Sequence, residues 1–455
     1  MRKVHISFLG TTNYAPCNYY NEDQPDLSIK DVRFVQEASI KYYCHDFGKD
    51  DLVLVFVTDQ AKTKNWKDNG HEDKKNQGEM LKIEGLESRL KKLELNCGYK
   101  LVRIDNGIDK SEVWSVFQTV LNELMDNDIV VLDITNGFRS LPMLGMVLLN
   151  YAKSVLDIKI RSICYGALEE LQLEGKSIYK IKLENRNVPI LNLKEFSVLQ
   201  DWGTAANDFK EYGQSKKLES LIVTNTFSDF LDKEPSTDVV DKFKELGKNL
   251  NLVTSSINTV RGKSIKKGEI FDNLRKSIKD IKEDNFIAPL SPLLGIITQK
   301  VKPFKENDAR NGVDAAQWCY DHGLIQQGIT ILIESIIEIV LIENGMSTTY
   351  KKNRNMASSV LAVARNNFKM NGYDPIEVAT LYNSRIVSLF NSDGFYKKLN
   401  NQYRNDINHG GFNASKRPMG HVHIPKSPEE FKPELNTAIE KTYSILESLT
   451  SQPCS

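Results

Sequence analysis

Residues 129–142, IVVLDITNGFRSLP, decide the fold class of this 455-residue chain. Their first half is apolar on both faces, which is typical of a strand covered by helices on either side of a parallel sheet. A glycine then turns the chain, and Pro142 stands where the first turn of a helix opens. The free N–H groups of such a helix start, together with Arg139, predict an anion site. The alternative is a plain turn at Asn136-Gly137, with Arg139 as a surface cap partner.

The same alternation of buried strand and amphipathic helix recurs over the first 190 residues. Apolar runs typical of strands lie at 4–9, 52–57, 101–105, 129–135 and 158–165. Between them apolar residues recur at helical spacing, as in Val113, Phe117, Val120 and Leu124. The pattern SxxD at 28–31 predicts a helix start, and 176–183 predicts an edge strand in a hairpin with the strand before it. Together these elements predict a Rossmann-like α/β domain with a mostly parallel sheet.

Polar loops follow two of the predicted strands, at the end of the sheet where doubly wound folds bind ligands. The first loop supplies backbone N–H groups, two hydroxyls, an amide and an aromatic face, from Gly10, Thr11, Thr12, Asn13 and Tyr14. It lacks the GxGxxG spacing of dinucleotide sites. The second loop consists of Thr135, Asn136, Gly137, Phe138, Arg139 and Ser140. Together the loops predict a polyanionic ligand, and an ordinary nucleotide stays open as the alternative.

These two loops also carry a resemblance to a known family. With FLGTTNY at 8–14 and DITNGFRSLPML at 133–144, the chain resembles the CRISPR-associated Rossmann fold (CARF) domain of type III CRISPR effectors. The resemblance implies a sensor that binds cyclic oligoadenylate across the two-fold axis of a homodimer or higher oligomer. Cyclic tetra-adenylate is the first candidate, and the ring size stays open. The family commonly has histidine where this chain has Asn136, so we expect binding and leave degradation of the activator open.

From about residue 195 onward the sequence predicts only helices. Prolines near 289–303 mark a boundary, so we predict a sensor domain at 1–190, a helical connector at 191–305 and a last helical domain at 306–455. The longest apolar run, 329–342, is interrupted by Glu334 and Glu338. We therefore expect a buried or interface helix there and no membrane span.

The last domain contains residues 404–409, RNDINH, at the end of a predicted helix. Arg404 and His409 are five residues apart, which does not bring two side chains onto one helix face. They can meet on one phosphate if the helix end loosens or if a second copy faces them. A rival Arg-His pair at 417–423 is interrupted by a proline and a glycine, which break a helix. A structural arginine beside a helix-end histidine is the alternative interpretation.

Behind a CARF-like domain, this segment resembles the Arg-polar-x3-His motif of HEPN ribonucleases. The resemblance implies a metal-independent endoribonuclease that cleaves single-stranded RNA, with one motif from each of two copies. A 2′-hydroxyl would attack the adjacent phosphorus with His409 as general base or acid, Arg404 stabilising the phosphate charge and Asn405 orienting either partner. No cofactor and no metal are expected. The rival hypothesis is a non-catalytic regulator that holds RNA or a partner under ligand control.

Composition limits the partners. Lys plus Arg and Asp plus Glu each number 60, so the formal net charge is zero and a general RNA-coating protein is disfavoured. Any contact with RNA must be local. The six cysteines show no CxxC spacing and the N-terminus shows no signal-peptide pattern. We expect a cytoplasmic, CRISPR-associated antiviral effector without a membrane partner.

Overall fold

The computed structural model describes residues 1–21, 24–73, 76, 78–136, 141–172, 178–224, 235–283, 290–410 and 425–450. The chain forms two compact units, residues 1–200 and 201–455. Each unit is described by itself below. The domain limits at 190 and 305 stay predictions.

The N-terminal unit is built on one eight-stranded sheet with the order β3-β2-β8-β7-β6-β1-β4-β5. Its strands are β1 Lys3–Leu9, β2 Cys17–Asn21, β3 Gln24–Val32, β4 Leu52–Val57, β5 Gly98–Arg103, β6 Ile129–Asp133, β7 Lys159–Gly166 and β8 Asn187–Asn192. The five strands from β7 to β5 are parallel to their neighbours, whereas the β2–β3 and β7–β8 pairs are antiparallel. The predicted mostly parallel α/β fold is confirmed.

Helices cover both faces of this sheet. They are α1 Val35–Tyr43, α2 Asp59–Ala61, α3 Leu86–Lys91, α4 Lys110–Asn122 and α5 Leu141–Val155. Along β4, Val53, Val55 and Val57 pack in the core that includes α1 and α3. The alternate residues Leu54 and Phe56 pack in the core that includes α4 and α5. A strand that is apolar on both faces thus lies between two helical layers, as its sequence predicts.

Two local predictions at the sheet edge are wrong. The SxxD pattern at 28–31 lies inside β3, where Ser28 is paired with Tyr20. Helix α1 begins later, and Glu37 Oε1 accepts a hydrogen bond of 3.1 Å from the Phe34 N–H. In the described part of 176–183, residues 178–180 form a 3-10 helix, and the strand that pairs with β7 is β8.

Helices joined by turns and loops, with no strand, make up the described residues of the C-terminal unit, and its first helix, α6, begins before residue 201. The helices from α6 onward are α6 Lys194–Tyr212, α7 Lys216–Val223, α8 Thr237–Asn258, α9 Gly262–Lys267, α10 Glu269–Glu283, α11 Ser291–Val301, α12 Asn311–Asp321, α13 Ile325–Glu343, α14 Lys351–Ala362, α15 Pro375–Asn383, α16 Arg385–Asn391, α17 Phe395–Lys398, α18 Asn405–Asn408 and α19 Pro428–Thr450. A π-helical segment, Leu399–Arg404, joins α17 to α18 in one continuous helical run. The predicted all-α second half is confirmed.

Helix α13 is the central apolar helix of this unit. By length and composition it could cross a membrane, the one such helix in the part of the chain that the structure describes. Most of it is buried, including Ile329, Leu332, Ile336 and Val340. This burial is what a core helix shows when other helices surround it.

Candidate functional site

The two predicted ligand loops lie side by side in the N-terminal unit. They follow β1 and β6, which are parallel neighbours with Ser7 opposite Asp133. From β1 the sheet extends through β4 and β5 on one side and through β6 and β7 on the other. The winding of the chain therefore reverses at β1 and β6, and the two loops flank the crevice where such sheets bind ligands.

The first loop is held in place by Asn65. This residue lies in a π-helical turn, Lys62–Trp66, and is fully buried. Its side-chain nitrogen donates to the carbonyl oxygens of Gly10 and Thr12, each at 2.8 Å. Its side-chain oxygen lies 2.9 Å from His71 Nε2. Both donor hydrogens of one buried amide are thus used to fix the loop backbone.

Tyr14 supports the same loop from within. Its hydroxyl oxygen accepts a hydrogen bond of 3.1 Å from the Gly10 N–H, and its ring packs edge-on against Phe34 with 5.7 Å between centroids. Burial raises the pKa of Tyr14 to about 12. A Cβ atom at Gly10 would lie 2.4 Å from the Tyr14 hydroxyl, so any larger residue there would displace the tyrosine. Tyr14 therefore supports the loop backbone, and its ring is not an open face on which a ligand could stack.

Arg33 brings a buried positive charge to this loop. Its Nη2 donates to Asn13 Oδ1 at 3.3 Å and its Nη1 to the Glu84 carbonyl oxygen at 2.7 Å. Among the described residues Arg33 makes no ion pair with a carboxylate, so its charge is available to attract an anion. The side chains of Thr11 and Thr12 make no hydrogen bond within the described residues, which leaves both hydroxyls free for a ligand.

The second loop is held by Asp133 at the end of β6. The Asp133 side chain accepts hydrogen bonds of 2.9 Å from the Thr135 N–H and from Ser39 Oγ. Thr135 Oγ1 in turn accepts from the Gly166 N–H at 2.8 Å. Burial raises the pKa of Asp133, against the lowering effect of the bonds from Thr135 and Ser39. A buried carboxylate that depends on these donors fixes the start of the loop.

A histidine lies beneath this carboxylate. His5 Nε2 is 3.1 Å from Ser39 Oγ. With Ser39 donating its hydroxyl proton to Asp133, His5 donates from Nε2, and no hydrogen-bond partner of its buried Nδ1 lies within the described residues. Burial lowers the pKa of His5 to about 3. The histidine is therefore neutral and belongs to the support of the loop.

The remaining residues of the second loop are only partly within the described chain. Asn136 is half-buried directly after Thr135. The predicted ligand residues Gly137, Phe138, Arg139 and Ser140 lie outside the described residues. Strand β6 ends at Asp133 and helix α5 begins at Leu141, so the predicted strand and helix stand on either side of this segment.

The predicted catalytic segment lies in the C-terminal unit, where the π-helical segment passes into α18. Arg404 is the last residue of the π-helical segment, and π-turns of this kind are frequent at functional sites. Its Nη2 donates to Glu334 Oε1 at 2.9 Å and its Nη1 to Asn400 Oδ1 at 3.3 Å. Arg404 is therefore oriented by a carboxylate from α13.

Asn405 and His409 are exposed, and their side chains make no hydrogen bond within the described residues. His409 caps α18, and Gly410 follows it with φ 61°. At 100° per residue, five residues place Arg404 and His409 about 140° apart around the helix axis. A single helix therefore does not bring the two side chains together, in agreement with the spacing argument.

Comparisons with known proteins identify the N-terminal unit. Residues 4–169 match the family described as "CRISPR system endoribonuclease Csx1, CARF domain", and 198–307 match "CRISPR-associated protein MJ1674, second domain". The N-terminal unit therefore contains a CARF domain, and the chain is similar to CRISPR-associated proteins. A CARF domain implies sensing of cyclic oligoadenylate in CRISPR defence.

One curated relative extends the similarity over most of the CARF-containing chain. It is the "CRISPR-associated protein MJ1674" of Methanocaldococcus jannaschii, 24% identical over 363 residues. The alignment covers 78% of this chain and 48% of the relative, so the chain spans about half the length of that protein.

Sequence reasoning missed three residues that organise these sites. Asn65 and Arg33 support the first loop from positions more than fifteen residues away in sequence, and no local pattern marks them. Glu334 was visible as a charge that interrupts an apolar helix. A charge on a mostly buried helix needs a partner, and this rule points toward an arginine elsewhere in the unit.

Proposed function

We propose that this chain is an RNA endonuclease controlled by cyclic oligoadenylate. The CARF domain binds the activator between the loops that follow β1 and β6. Arg404, Asn405 and His409 cleave RNA in the C-terminal unit. The observation that carries the proposal is an exposed histidine five residues after an arginine that a carboxylate orients, in a chain with a CARF domain. The matched family's printed description, an endoribonuclease, supports the same activity.

The activator's chemistry fits the first site. A cyclic oligoadenylate presents repeated phosphates and hydroxyls. The site offers the Thr11 and Thr12 hydroxyls and the buried charge of Arg33, which is bonded to Asn13 of the same loop. Fixed loops suit such a ligand because little conformational freedom is lost on binding. Cyclic tetra-adenylate remains the first ring to test.

A homodimer is supported by the surface of α5. Its outer side carries Met143, Val147, Tyr151 and Val155, each between 48% and 71% exposed, at a spacing of four residues. Side chains four apart form one stripe on a helix. An apolar stripe of this length on the helix that follows the second loop suits contact with a second copy, which would bring two sets of loops to one ring.

The proposed cleavage needs only side chains of this segment. His409 takes the proton from the RNA 2′-hydroxyl or gives one to the leaving 5′-oxygen. Arg404 stabilises the negative charge that develops on the phosphate oxygens. Asn405 donates a hydrogen bond to the phosphate or to the histidine. Because Arg404 and His409 point about 140° apart, a complete site takes its second motif from another copy of the chain.

The test is RNA cleavage in EDTA, with and without cyclic tetra-adenylate. We expect activator-dependent cutting by the wild type, and a loss of about 100-fold or more in His409→Ala because general acid-base catalysis contributes this much. His45→Ala is the matched control, since His45 is exposed and also follows a helix, α1. Equal cutting by wild type and His409→Ala, or loss of cutting in EDTA, contradicts the proposed mechanism.

A second candidate function is a ligand-controlled regulator that holds RNA or a partner without cutting. It is favoured by the ion pair of Arg404 with Glu334, which gives the arginine a structural partner. The same assay separates the two functions, because a regulator binds RNA and leaves it intact in every condition.

A further inference from the structure

Arg404 is the end of a row of alternating charges in the C-terminal unit. Glu334 accepts from Arg404 with Oε1 and from Arg354 Nη2 with Oε2, at 2.9 and 2.6 Å. Arg354 Nη1 also donates to Glu338, whose other oxygen accepts from Lys266 Nζ at 2.8 Å. We call these five residues, Arg404–Glu334–Arg354–Glu338–Lys266, the charge ladder.

The charge ladder connects three helical segments through the core helix α13. Glu334 and Glu338 are one helical turn apart on α13, so both carboxylates face the same way. Arg354 comes from α14 and Lys266 from α9, the latter within the region that matches the second domain of the CRISPR-associated relative family. Each glutamate uses both oxygens for cations, and this fixes the orientation of the carboxylate planes.

The ladder leaves one charge unbalanced. Three cations minus two anions give a net charge of +1. Burial acts to raise the pKa of Glu338, yet its bonds with Lys266, Thr348 and Arg354 lower it overall, which favours the charged carboxylate at this position of the ladder. The excess charge is that of one guanidinium, which suits a single phosphodiester anion.

We propose that Glu334 is the positioning residue of the Arg404 guanidinium, and that Arg354 and Lys266 act through it. The inference rests on the proposed ribonuclease function and names the part that prepares its phosphate site. A flexible arginine loses rotamer freedom when it binds phosphate. A carboxylate that is itself held in place by a second arginine restricts the guanidinium beforehand, so less freedom is lost on binding. Glu334 does not contact RNA; it holds Arg404 in the direction that the phosphate needs.

The test is a double-substitution cycle of Glu334→Gln and Arg404→Lys. The Glu334→Gln change keeps the shape of the side chain and removes its charge, and we expect a loss of about tenfold in cleavage rate and in affinity for RNA, typical of a charged hydrogen bond. In the Arg404→Lys background the same change should have almost no effect, because the group it positions is altered. Glu343→Gln on the same helix, exposed and outside the ladder, is the matched control.

Affinity is measured with RNA that carries a 2′-deoxy sugar at the cleavage site, so that binding is read without cutting. A full tenfold loss from Glu334→Gln in both backgrounds overturns the positioning role, since the effect is then independent of Arg404. If the wild type binds RNA without cutting it, the proposed ribonuclease fails while the cycle on affinity still decides the role of Glu334. If the wild type neither binds nor cuts RNA, both proposals are overturned.

Discussion

The two candidate sites of this chain are built in opposite ways. The loops of the CARF domain rest on buried polar groups, with Asn65 and Asp133 bonded to loop backbone. In the C-terminal unit, Asn405 and His409 are exposed and have no side-chain hydrogen bond within the described residues. Of the three predicted catalytic residues, Arg404 is the one that another side chain holds, through Glu334.

This difference agrees with the tasks that we propose. A sensor gains affinity and selectivity when its loops are fixed before the ligand arrives. An enzyme under allosteric control needs a site that is incomplete in its resting state, so that the activator can change its geometry. Fixed loops at one site and exposed side chains at the other are therefore expected of a ligand-controlled enzyme.

The largest predicted effect compares two asparagines, one at each site. Asn65→Ala removes the hydrogen bond to His71 and the two bonds to the loop, and it leaves two loop carbonyls without their donor. This change costs about 4 kcal/mol of unfolding free energy. It should also lower the affinity for cyclic tetra-adenylate by about 100-fold, because the first loop is no longer fixed before the ligand binds. Asn405→Ala removes an exposed side chain, and its unfolding free energy should change by less than about 0.5 kcal/mol. Urea denaturation and calorimetric titration measure both quantities.

Each of the two variants is the control for the other, because both substitutions remove the same side-chain amide. If Asn65→Ala binds the ligand as the wild type does, the first loop is not part of the ligand site. If Asn405→Ala is as destabilised as Asn65→Ala, the C-terminal segment is supported to the same extent and the contrast between the sites is wrong.

A smaller predicted effect is the change of the unfolding free energy with pH. The lowered pKa of His5, about 3, gives stability that is present above the ordinary value near 6.5 and lost as the pH falls toward 3. The unfolded chain binds a proton that the folded chain refuses, so this residue should cost about 3 kcal/mol between pH 7 and pH 4.5. Urea denaturation at both pH values, in wild type and His5→Gln, isolates this loss.

The unfolding free energy should therefore fall more steeply with decreasing pH in the wild type than in His5→Gln. The difference between the two losses measures the contribution of the His5 side chain, which supports the second loop. An identical loss in both proteins would show that His5 takes up its proton in the folded state, and that the network of His5, Ser39 and Asp133 does not hold the loop as described.

The central strands of the sheet could be predicted from the sequence, whereas the strands near one edge, β2 and β3, could not. Strand β4, LVLVFV, is apolar on both faces and has no competing interpretation. Strand β2 is CNYYN, which lacks the β-branched run that marks a strand, and β3 contains the SxxD pattern that resembles a helix start. Strand β2 depends on pairing with β3 and β8, and the edge strand β3 depends on pairing with β2, which only the tertiary structure shows.

For the candidate sites, the sequence located the segments and missed their supports. Short motifs mark Gly10–Tyr14 and 404–409 because the residues are consecutive. Glu334 is 70 residues from Arg404, and Asn65 is 55 from Gly10. Contacts over such distances follow from packing, which local patterns do not encode. The two glutamates inside the apolar run of α13 were the one available signal.

Activator dependence tests the central claim most directly. The rate of RNA cleavage by the wild type is measured across a titration with cyclic tetra-adenylate, beside calorimetric binding of the same ligand to His409→Ala. We predict that cleavage rises from a low basal rate with a half-saturation equal to the dissociation constant of the variant, since His409 is not part of the ligand site. Cleavage that is independent of any cyclic oligoadenylate that binds the CARF domain would contradict the claim that one site controls the other.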